Sequence, residues 1–130
     1  MVHYLDTSAL VKLVVAEAQT PALRTWLSHS GRVPVTCDLS RTELLRAVKR
    51  VAPDRLVQAR EVLDAVTVLE VTTTMFESAG RLDAVSLRTL DAIHLAAALS
   101  LGDDLDAIVT YDDRQAQAAR ANAVPVESPT

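Results

Sequence analysis

The sequence has little cysteine, little glycine and few aromatic side chains: it contains one Cys, three Gly and 3% aromatic residues in a total of 130. The single cysteine, Cys37, excludes a disulfide within this sequence and a metal site built from several thiolates. Because glycine is so scarce, there is no glycine-rich phosphate-binding loop, and a P-loop nucleotide hydrolase is excluded. The histidines lack the spacing of zinc ligands.

Long apolar runs and a strong positive charge are also missing. No run of about 18 apolar residues is present, so we expect no transmembrane helix and no membrane partner. No secretory signal pattern is visible at the start of the sequence, and the expected compartment is the cytoplasm. The formal net charge of −4 argues against a protein that binds nucleic acid over its whole surface.

The sequence does contain enough apolar residues, 49% of the total, to bury the core of one compact domain, predicted over 1–130. Short apolar runs alternate with segments of helical periodicity. This alternation predicts an α/β fold in which a parallel sheet lies between helices. The predicted strands are Val2–Leu5, Val33–Cys37, Thr67–Val71, Ala107–Thr110 and a last one around Val124–Val126.

Several predicted helices begin at residues typical of helix starts. Thr7 or Ser8 is expected to cap a helix that runs through Val15. Ser40 and Glu43 have the spacing of a capping box. The other predicted helices run from Thr20 to Ser30, from Pro53 to Val66, from about Thr74 to Leu82, and from Leu90 to Leu101 behind a Thr89 cap.

Four acidic residues occupy positions that such a fold brings to one edge of the sheet. Asp6 and Asp112 each follow a predicted strand, and ligands in parallel α/β folds lie beyond the carboxyl ends of the strands. Glu43 and Asp91 are each predicted in the first turn of a helix. Taken singly, three of these acids also have a structural interpretation: Asp6 can cap the following helix, and Glu43 and Asp91 can interact with helix N-termini. Together they would repel one another, which indicates a hard divalent cation such as Mg²⁺.

The motifs around these acids resemble those of PIN domains, and specifically the VapC-type toxins of bacterial toxin–antitoxin pairs. The resemblance runs through YLDTSALVKL, DLSRTELLRAVKR, LRTLDAIHLAAAL and AIVTYDDR, in this order and over essentially the whole sequence. It implies a three-layer α/β/α sandwich with a central, mainly parallel sheet of four to five strands. It also implies an endoribonuclease that depends on Mg²⁺ or Mn²⁺.

The resemblance assigns roles to particular residues. Asp6, Glu43, Asp91 and Asp112 become the catalytic and metal-binding quartet, and Thr7, Ser8 and Thr110 become its supporting residues. Water activated by the metal would cleave RNA phosphodiester bonds and inhibit translation or growth. For RNA binding, the predicted residues lie in one basic stretch: Arg41, Arg46, Lys49 and Arg50.

The resemblance also implies partners. The protein is expected to be neutralised by a VapB-type antitoxin and to form a homodimer, with a heterotetramer or larger assembly in the complex. Two apolar sets could form the dimer interface or belong to the core: Leu23, Trp26 and Leu27, or Leu56, Val62 and Leu63.

Two other functions remain as alternatives: a catalytically inactive PIN-like binding module, and an aspartate-dependent phosphatase or phosphotransferase. The phosphatase pattern needs a second aspartate two positions after Asp6, where this sequence has Ser8. Nearby polar residues are interpreted structurally. His94 lies three positions after Asp91 and could touch the site, but it is predicted to be a structural histidine. Asp113 is a rival to Asp112 as a ligand and Asp38 could reach the site, but both are predicted to cap the helices that follow them.

Overall fold

In the computed structural model, which describes residues 2–130, a five-stranded parallel sheet has the strand order β3-β2-β1-β4-β5. The strands are β1 (Val2–Leu5), β2 (Val33–Cys37), β3 (Thr67–Leu69), β4 (Leu105–Val109) and β5 (Val126–Glu127). Seven α-helices accompany these strands in the described part of the chain: α1 (Thr7–Val14), α2 (Thr20–Leu27), α3 (Leu39–Val51), α4 (Leu56–Ala65), α5 (Thr73–Ala79), α6 (Thr89–Leu99) and α7 (Asp113–Ala121).

The helices form two layers because neighbouring strand residues point to opposite faces of the sheet. Tyr4 joins a core cluster with residues of α6 and α7, whereas Leu5 joins a second cluster with residues of α1 to α4. Ile108 and Val109 of β4 divide in the same way. The predicted three-layer α/β/α architecture is therefore confirmed.

The chain order of the strands places a crevice at the carboxyl end of β1. The first three strands run outward from β1 to β3, and the chain then returns to place β4 on the other side of β1. Such a switch point leaves a crevice between the two central strands, where α/β folds bind ligands. Asp6 follows β1 and Asp112 lies just beyond β4, so the topology brings both to this crevice.

Several predicted bounds differ from the structure. The third strand ends at Leu69 instead of Val71, and the fourth begins at Leu105 instead of Ala107. The last strand is Val126–Glu127, because the backbone pairs later than the apolar residues suggest. Helix α2 ends at Leu27 instead of Ser30, with Ser28 as its C-cap. Among residues 2–130, no helix combines the length and apolar character that a membrane span requires.

Several predicted helix starts were wrong. Thr89 is the first residue of α6 and Arg88 is its N-cap, and α4 begins at Leu56 instead of Pro53. Asp6, instead of Thr7 or Ser8, is the N-cap of α1, and its carboxylate accepts a hydrogen bond from the Ala9 N–H at 3.2 Å. There is no capping box at Ser40, since α3 already begins at Leu39 and the Ser40 hydroxyl bonds to that of Thr36 at 2.7 Å. Glu43 therefore lies in the second turn of α3, where an interaction with the helix N-terminus no longer explains its charge.

The apolar residues proposed for a dimer interface divide between core and surface. Leu23 is completely buried and Leu63 is 4% exposed, so both belong to the core between the sheet and α1 to α4. The other residues of the two sets are only partly buried against this core: Trp26, Leu27, Leu56 and Val62.

Candidate active site

The four acidic residues predicted for the site surround one small cavity of about 150 Å³ at the carboxyl end of the sheet. They come from four separate segments of the chain, and no Lys or Arg lines the cavity with them. The lining residues are Asp6, Thr7, Ser8, Glu43, Asp91, His94 and Asp112. Two carboxylates, Asp6 and Glu43, form what we call the inner pair, and Asp91 and Asp112 form the outer pair.

Asp6 is the most enclosed of the four acids, with 4% of the residue exposed. Its carboxylate accepts hydrogen bonds from the hydroxyls of Ser8 and Thr110 in addition to the Ala9 N–H. Burial raises the pKa of Asp6, and the hydrogen bonds from Ser8 and Thr110 offset only part of that effect. A buried carboxylate of this kind retains a preference for a nearby positive charge.

Glu43 reaches the cavity from α3 and is held by two side chains on other elements. The Thr7 hydroxyl donates to Glu43 Oε1 at 2.8 Å, and His94 Nε2 also bonds to this oxygen. Burial alone would raise the pKa of Glu43, but the bonds from His94 and Thr7 lower it overall. Glu43 is therefore ionised and fixed in place.

His94 is part of a buried polar network, which goes beyond the structural histidine that we predicted. Its Nδ1 lies 2.7 Å from the Tyr4 hydroxyl and 3.8 Å from the Cys37 sulfur, while Nε2 faces Glu43. Burial would lower the pKa of His94, but the hydrogen bonds with Cys37 and Glu43 raise it to about 10. Protonated His94 thus supplies the positive charge that Glu43 needs inside the protein.

The outer pair lies at the open side of the cavity. Asp112, which is exposed, is the N-cap of α7 and accepts from the N–H groups of Arg114 and Gln115 at 2.9 and 3.3 Å. The prediction that Asp113 caps this helix was wrong, because Asp113 is its first residue. The Asp91 carboxylate accepts no hydrogen bond from the described residues 2–130.

Electrostatic repulsion acts on the outer pair. Burial, followed by the charge of Asp112, raises the pKa of Asp91. Gln115 nevertheless fixes the two acids relative to each other: its side-chain amide donates to the Asp91 carbonyl at 3.0 Å, and its backbone N–H bonds to Asp112. Gln115 is completely buried. The sequence analysis missed this residue.

The carboxylate oxygens that line the cavity are ligands of the kind that a hard divalent cation prefers. Among residues 2–130, no three His, Cys, Asp or Glu side chains are close enough to bind one ion together. Mg²⁺ is usually held by one or two carboxylates and keeps several waters, so it does not require such a cluster. The uncompensated outer pair at the cavity mouth therefore fits Mg²⁺.

The predicted RNA-binding residues lie on the exposed side of α3, outside the cavity: Arg41, Arg46, Lys49 and Arg50. Arg46 and Arg50 follow Glu43 by three and seven positions, which places them on the same side of the helix. Arg41 instead pairs with Asp38 at 3.1 Å. Asp38 makes no capping hydrogen bond, contrary to prediction, and does not line the cavity.

Known proteins resemble this chain over nearly its whole length. The family model described as "PIN domain" matches residues 3–121. Ribonuclease VapC47 of Mycobacterium tuberculosis is 42% identical over 130 residues, which cover 97% of this chain and 96% of that protein.

Two solved structures are similar in fold. The crystal structure of Mycobacterium tuberculosis VapC20, described as a sarcin-ricin loop cleaving toxin, has a TM-score of 0.74 at 22% identity, covering 89% of this chain and 94% of that one. A toxin–antitoxin complex from Klebsiella pneumoniae has a TM-score of 0.72 at 18% identity, covering 98% of both chains. The chain therefore belongs to the PIN-domain family, and within it to the VapC group.

Proposed function

We propose that the protein is an endoribonuclease that depends on Mg²⁺ or Mn²⁺ and acts as the toxin of a VapBC-type pair. The observation that carries this proposal is the arrangement of four carboxylates, from distant parts of the chain, around one cavity that has no Lys or Arg in its lining and only His94, bonded to Glu43, as a basic group. Membership of a group whose curated relative is named a ribonuclease supports RNA as the substrate. The domain is proposed to span residues 1–130.

The outer pair is proposed to hold the metal directly, with the inner pair contributing through water. Asp112 is exposed and the Asp91 carboxylate accepts no hydrogen bond within residues 2–130, and the repulsion between the two favours a cation between them. When bound, the ion would stabilise negative charge on the phosphodiester and lower the pKa of the attacking water. Glu43 lines the same cavity and is held by His94, and we propose that it orients a water molecule there.

Three hydroxyls are proposed to support the carboxylates. Ser8 and Thr110 donate to Asp6, and Thr7 donates to Glu43. The Ser8 hydroxyl also accepts a hydrogen bond from the Tyr111 N–H at 2.9 Å, which joins the end of β4 to α1. These contacts keep the inner pair immobile, so little reorganisation is needed when charge develops on the substrate.

The proposed partners follow from the family and from the charge of the site. The Klebsiella pneumoniae neighbour is described as a toxin–antitoxin complex, which supports a VapB-type antitoxin as the partner here. An arginine on the antitoxin would suit the acidic cavity and could replace the charge of the metal. We also propose that release from the antitoxin leads to RNA cleavage in the cytoplasm and inhibits translation or growth.

Two further surface features support proposals about a dimer interface and about a wider RNA-binding surface. Half-buried Trp26, Leu27, Leu56 and Val62 are candidates for a homodimer interface, within a heterotetramer or larger complex with antitoxin. The exposed basic face of α3 is proposed to contact RNA phosphates outside the cavity.

The first experiment compares Asp91→Asn with Asp64→Asn. Asp91 lines the cavity that contains the other acids, whereas Asp64 is an exposed residue of α4 that lines neither this cavity nor the grooves beside it. Cleavage of a 5′-labelled total RNA pool is measured in Mg²⁺, in EDTA and after Mg²⁺ is restored. We expect Asp91→Asn to reduce the rate about a hundredfold or more, since metal binding contributes several kcal/mol to such reactions.

The matched variant Asp64→Asn should cleave at nearly the rate of the unaltered protein. Cleavage that persists in EDTA, or that Asp91→Asn leaves unchanged, would contradict the metal-dependent mechanism. If the folded, unaltered protein cleaves no RNA in either metal, the inactive binding module becomes the better explanation.

A further inference from the structure

The acidic cavity continues into a neighbouring groove that contains basic side chains. This second groove has a volume of about 350 Å³ and shares Asp91 and Asp112 with the cavity. Its other lining residues are Arg88, Asp113 and Arg114. The four acids and the two arginines therefore face one continuous depression.

The depression extends beyond the arginines. Arg114 also lines a third groove, of about 530 Å³, together with Leu87, Gln117 and Ala118 among others. A path thus runs from the acids, past Arg88 and Arg114, to a mixed polar and apolar surface between α7 and the segment before α6. An extended chain could follow this path.

The positions of the two arginines are unfavourable for the fold itself. Arg88 is the N-cap of α6 and makes no side-chain capping hydrogen bond, and Arg114 is the second residue of α7. Cations at helix N-termini interact unfavourably with the helix dipole. Both side chains are exposed, and within residues 2–130 neither forms an ion pair. Stability of the fold therefore does not explain them.

Neutralisation of the acids does not explain them either. Arg88 and Arg114 line the same groove as Asp91 and Asp112, but within residues 2–130 neither arginine forms an ion pair with either acid. A guanidinium placed to compensate Asp91 would form an ion pair with it. The positive charge of Arg88 is thus available to a ligand.

We propose that Arg88 and Arg114 form a phosphate-binding subsite that holds the RNA strand at a nucleotide next to the scissile phosphodiester. This subsite rests on the proposed ribonuclease function and names a part of its substrate-binding surface. Guanidinium groups suit the task because they form two parallel hydrogen bonds with a phosphate. They also offset the repulsion between an RNA strand and the acidic cavity.

The test measures RNA binding separately from cleavage. The probe is a fluorescein-labelled, single-stranded 15-nucleotide RNA of mixed sequence, titrated with protein in Ca²⁺ and followed by anisotropy at several salt concentrations. A gel of the recovered RNA verifies that it is intact. The variants are Arg88→Ala, Arg114→Ala and the double variant. The matched controls are Arg81→Ala and Arg120→Ala, which remove exposed arginines outside the three grooves.

Each variant in the subsite should weaken binding about three- to tenfold and reduce the slope of log K against log salt by about 0.7, since one phosphate contact is lost. In the double variant this slope should decrease by about twice as much, whereas both control variants should keep the slope of the unaltered protein. Arg114→Lys should restore the slope but only part of the affinity, because an ammonium group lacks the paired geometry. In steady-state cleavage, KM should rise more than kcat falls.

A double variant that is folded, with an unchanged thermal midpoint, and that keeps the full salt slope would overturn the subsite. So would equal losses in the control variants. Neither result affects the proposed function, which depends on cleavage by the unaltered protein in Mg²⁺. Conversely, absence of that cleavage contradicts the proposed function whatever the arginine variants show.

Discussion

The inner and outer pairs of acids are held in the same cavity in different ways. Asp6 is buried and Glu43 is half-buried, both accept hydrogen bonds from side-chain hydroxyls, and Glu43 also has His94 as a counter-charge. Asp91 and Asp112 lie at the open side, where burial and mutual repulsion raise the pKa of Asp91. The inner pair therefore contributes to folding as well as to the site. The outer pair retains charges that the fold does not need, as expected of groups placed for function.

When one acid of each pair is replaced by alanine, we expect the largest difference in stability when Asp6→Ala is compared with Asp91→Ala. Asp6→Ala removes the N-cap of α1, worth about 1 kcal/mol, and leaves the Ser8 and Thr110 hydroxyls without their acceptor. The substitution also removes the cost of burying the Asp6 carboxylate, which offsets part of this loss. We expect the free energy of unfolding in urea to fall by about 2 kcal/mol.

Asp91→Ala is the matched measurement in the outer pair. It removes a carboxylate with a raised pKa and should change stability by less than about 0.5 kcal/mol, or increase it slightly. Equal losses in Asp6→Ala and Asp91→Ala would mean that the two pairs do not differ in their contribution to folding.

The location of Asp6 and Asp112 could be predicted from the sequence because strand ends are visible locally. Each follows a short apolar run, and the parallel arrangement of the strands brings their carboxyl ends together. The finer roles could not be assigned in the same way. Either Asp112 or Asp113 has the side chain to cap α7, and only the backbone path shows that Asp112 does.

The network around His94 could not be predicted for a different reason. His94 contacts Tyr4 and Glu43, which lie 90 and 51 positions away in the chain. In the sequence, His94 stands among apolar residues of a predicted helix. This pattern fits an isolated structural histidine as well as it fits a histidine in a polar network. The two arginines of the second groove were missed for a related reason: they lie close to Asp91 and Asp112 in sequence, but they are assigned to a groove only by tertiary structure.

A smaller effect is expected from His94→Gln, which tests whether the inner pair depends on a buried charge. The comparison is made in a Cys37→Ser background, so that titration of the thiol does not contribute. Loss of the hydrogen bonds to Glu43 and Tyr4 should reduce stability by about 1–1.5 kcal/mol at pH 6.5.

The loss should depend on pH in a defined direction. The hydrogen-bonding partners of His94 raise its pKa from 6.5 to about 10, against the effect of burial. In the Cys37→Ser background the contribution of the thiol is removed, and the bond and charge of Glu43 still raise the pKa of His94. The stabilisation is therefore complete below pH 6.5 and is lost as the pH rises through this raised pKa, below that of the unaltered protein. Urea unfolding at several pH values should show the difference between the two proteins shrinking over this range. A difference that stays constant would indicate a neutral His94 and no buried ion pair.

The smallest stability effect is expected from Asp112→Asn, which separates the structural and chemical roles of one outer acid. Asparagine caps helices about as well as aspartate, so the bonds to the N–H groups of Arg114 and Gln115 should persist. We expect a change in unfolding free energy of less than about 0.5 kcal/mol, together with a loss of cleavage as large as that of Asp91→Asn.

Asp112→Ala removes the cap too, and it should lower stability by about 1 kcal/mol without a further loss of cleavage. If Asp112→Asn retained activity, the capping geometry and not the charge of Asp112 would be what the site requires, and the outer pair would reduce to Asp91 alone.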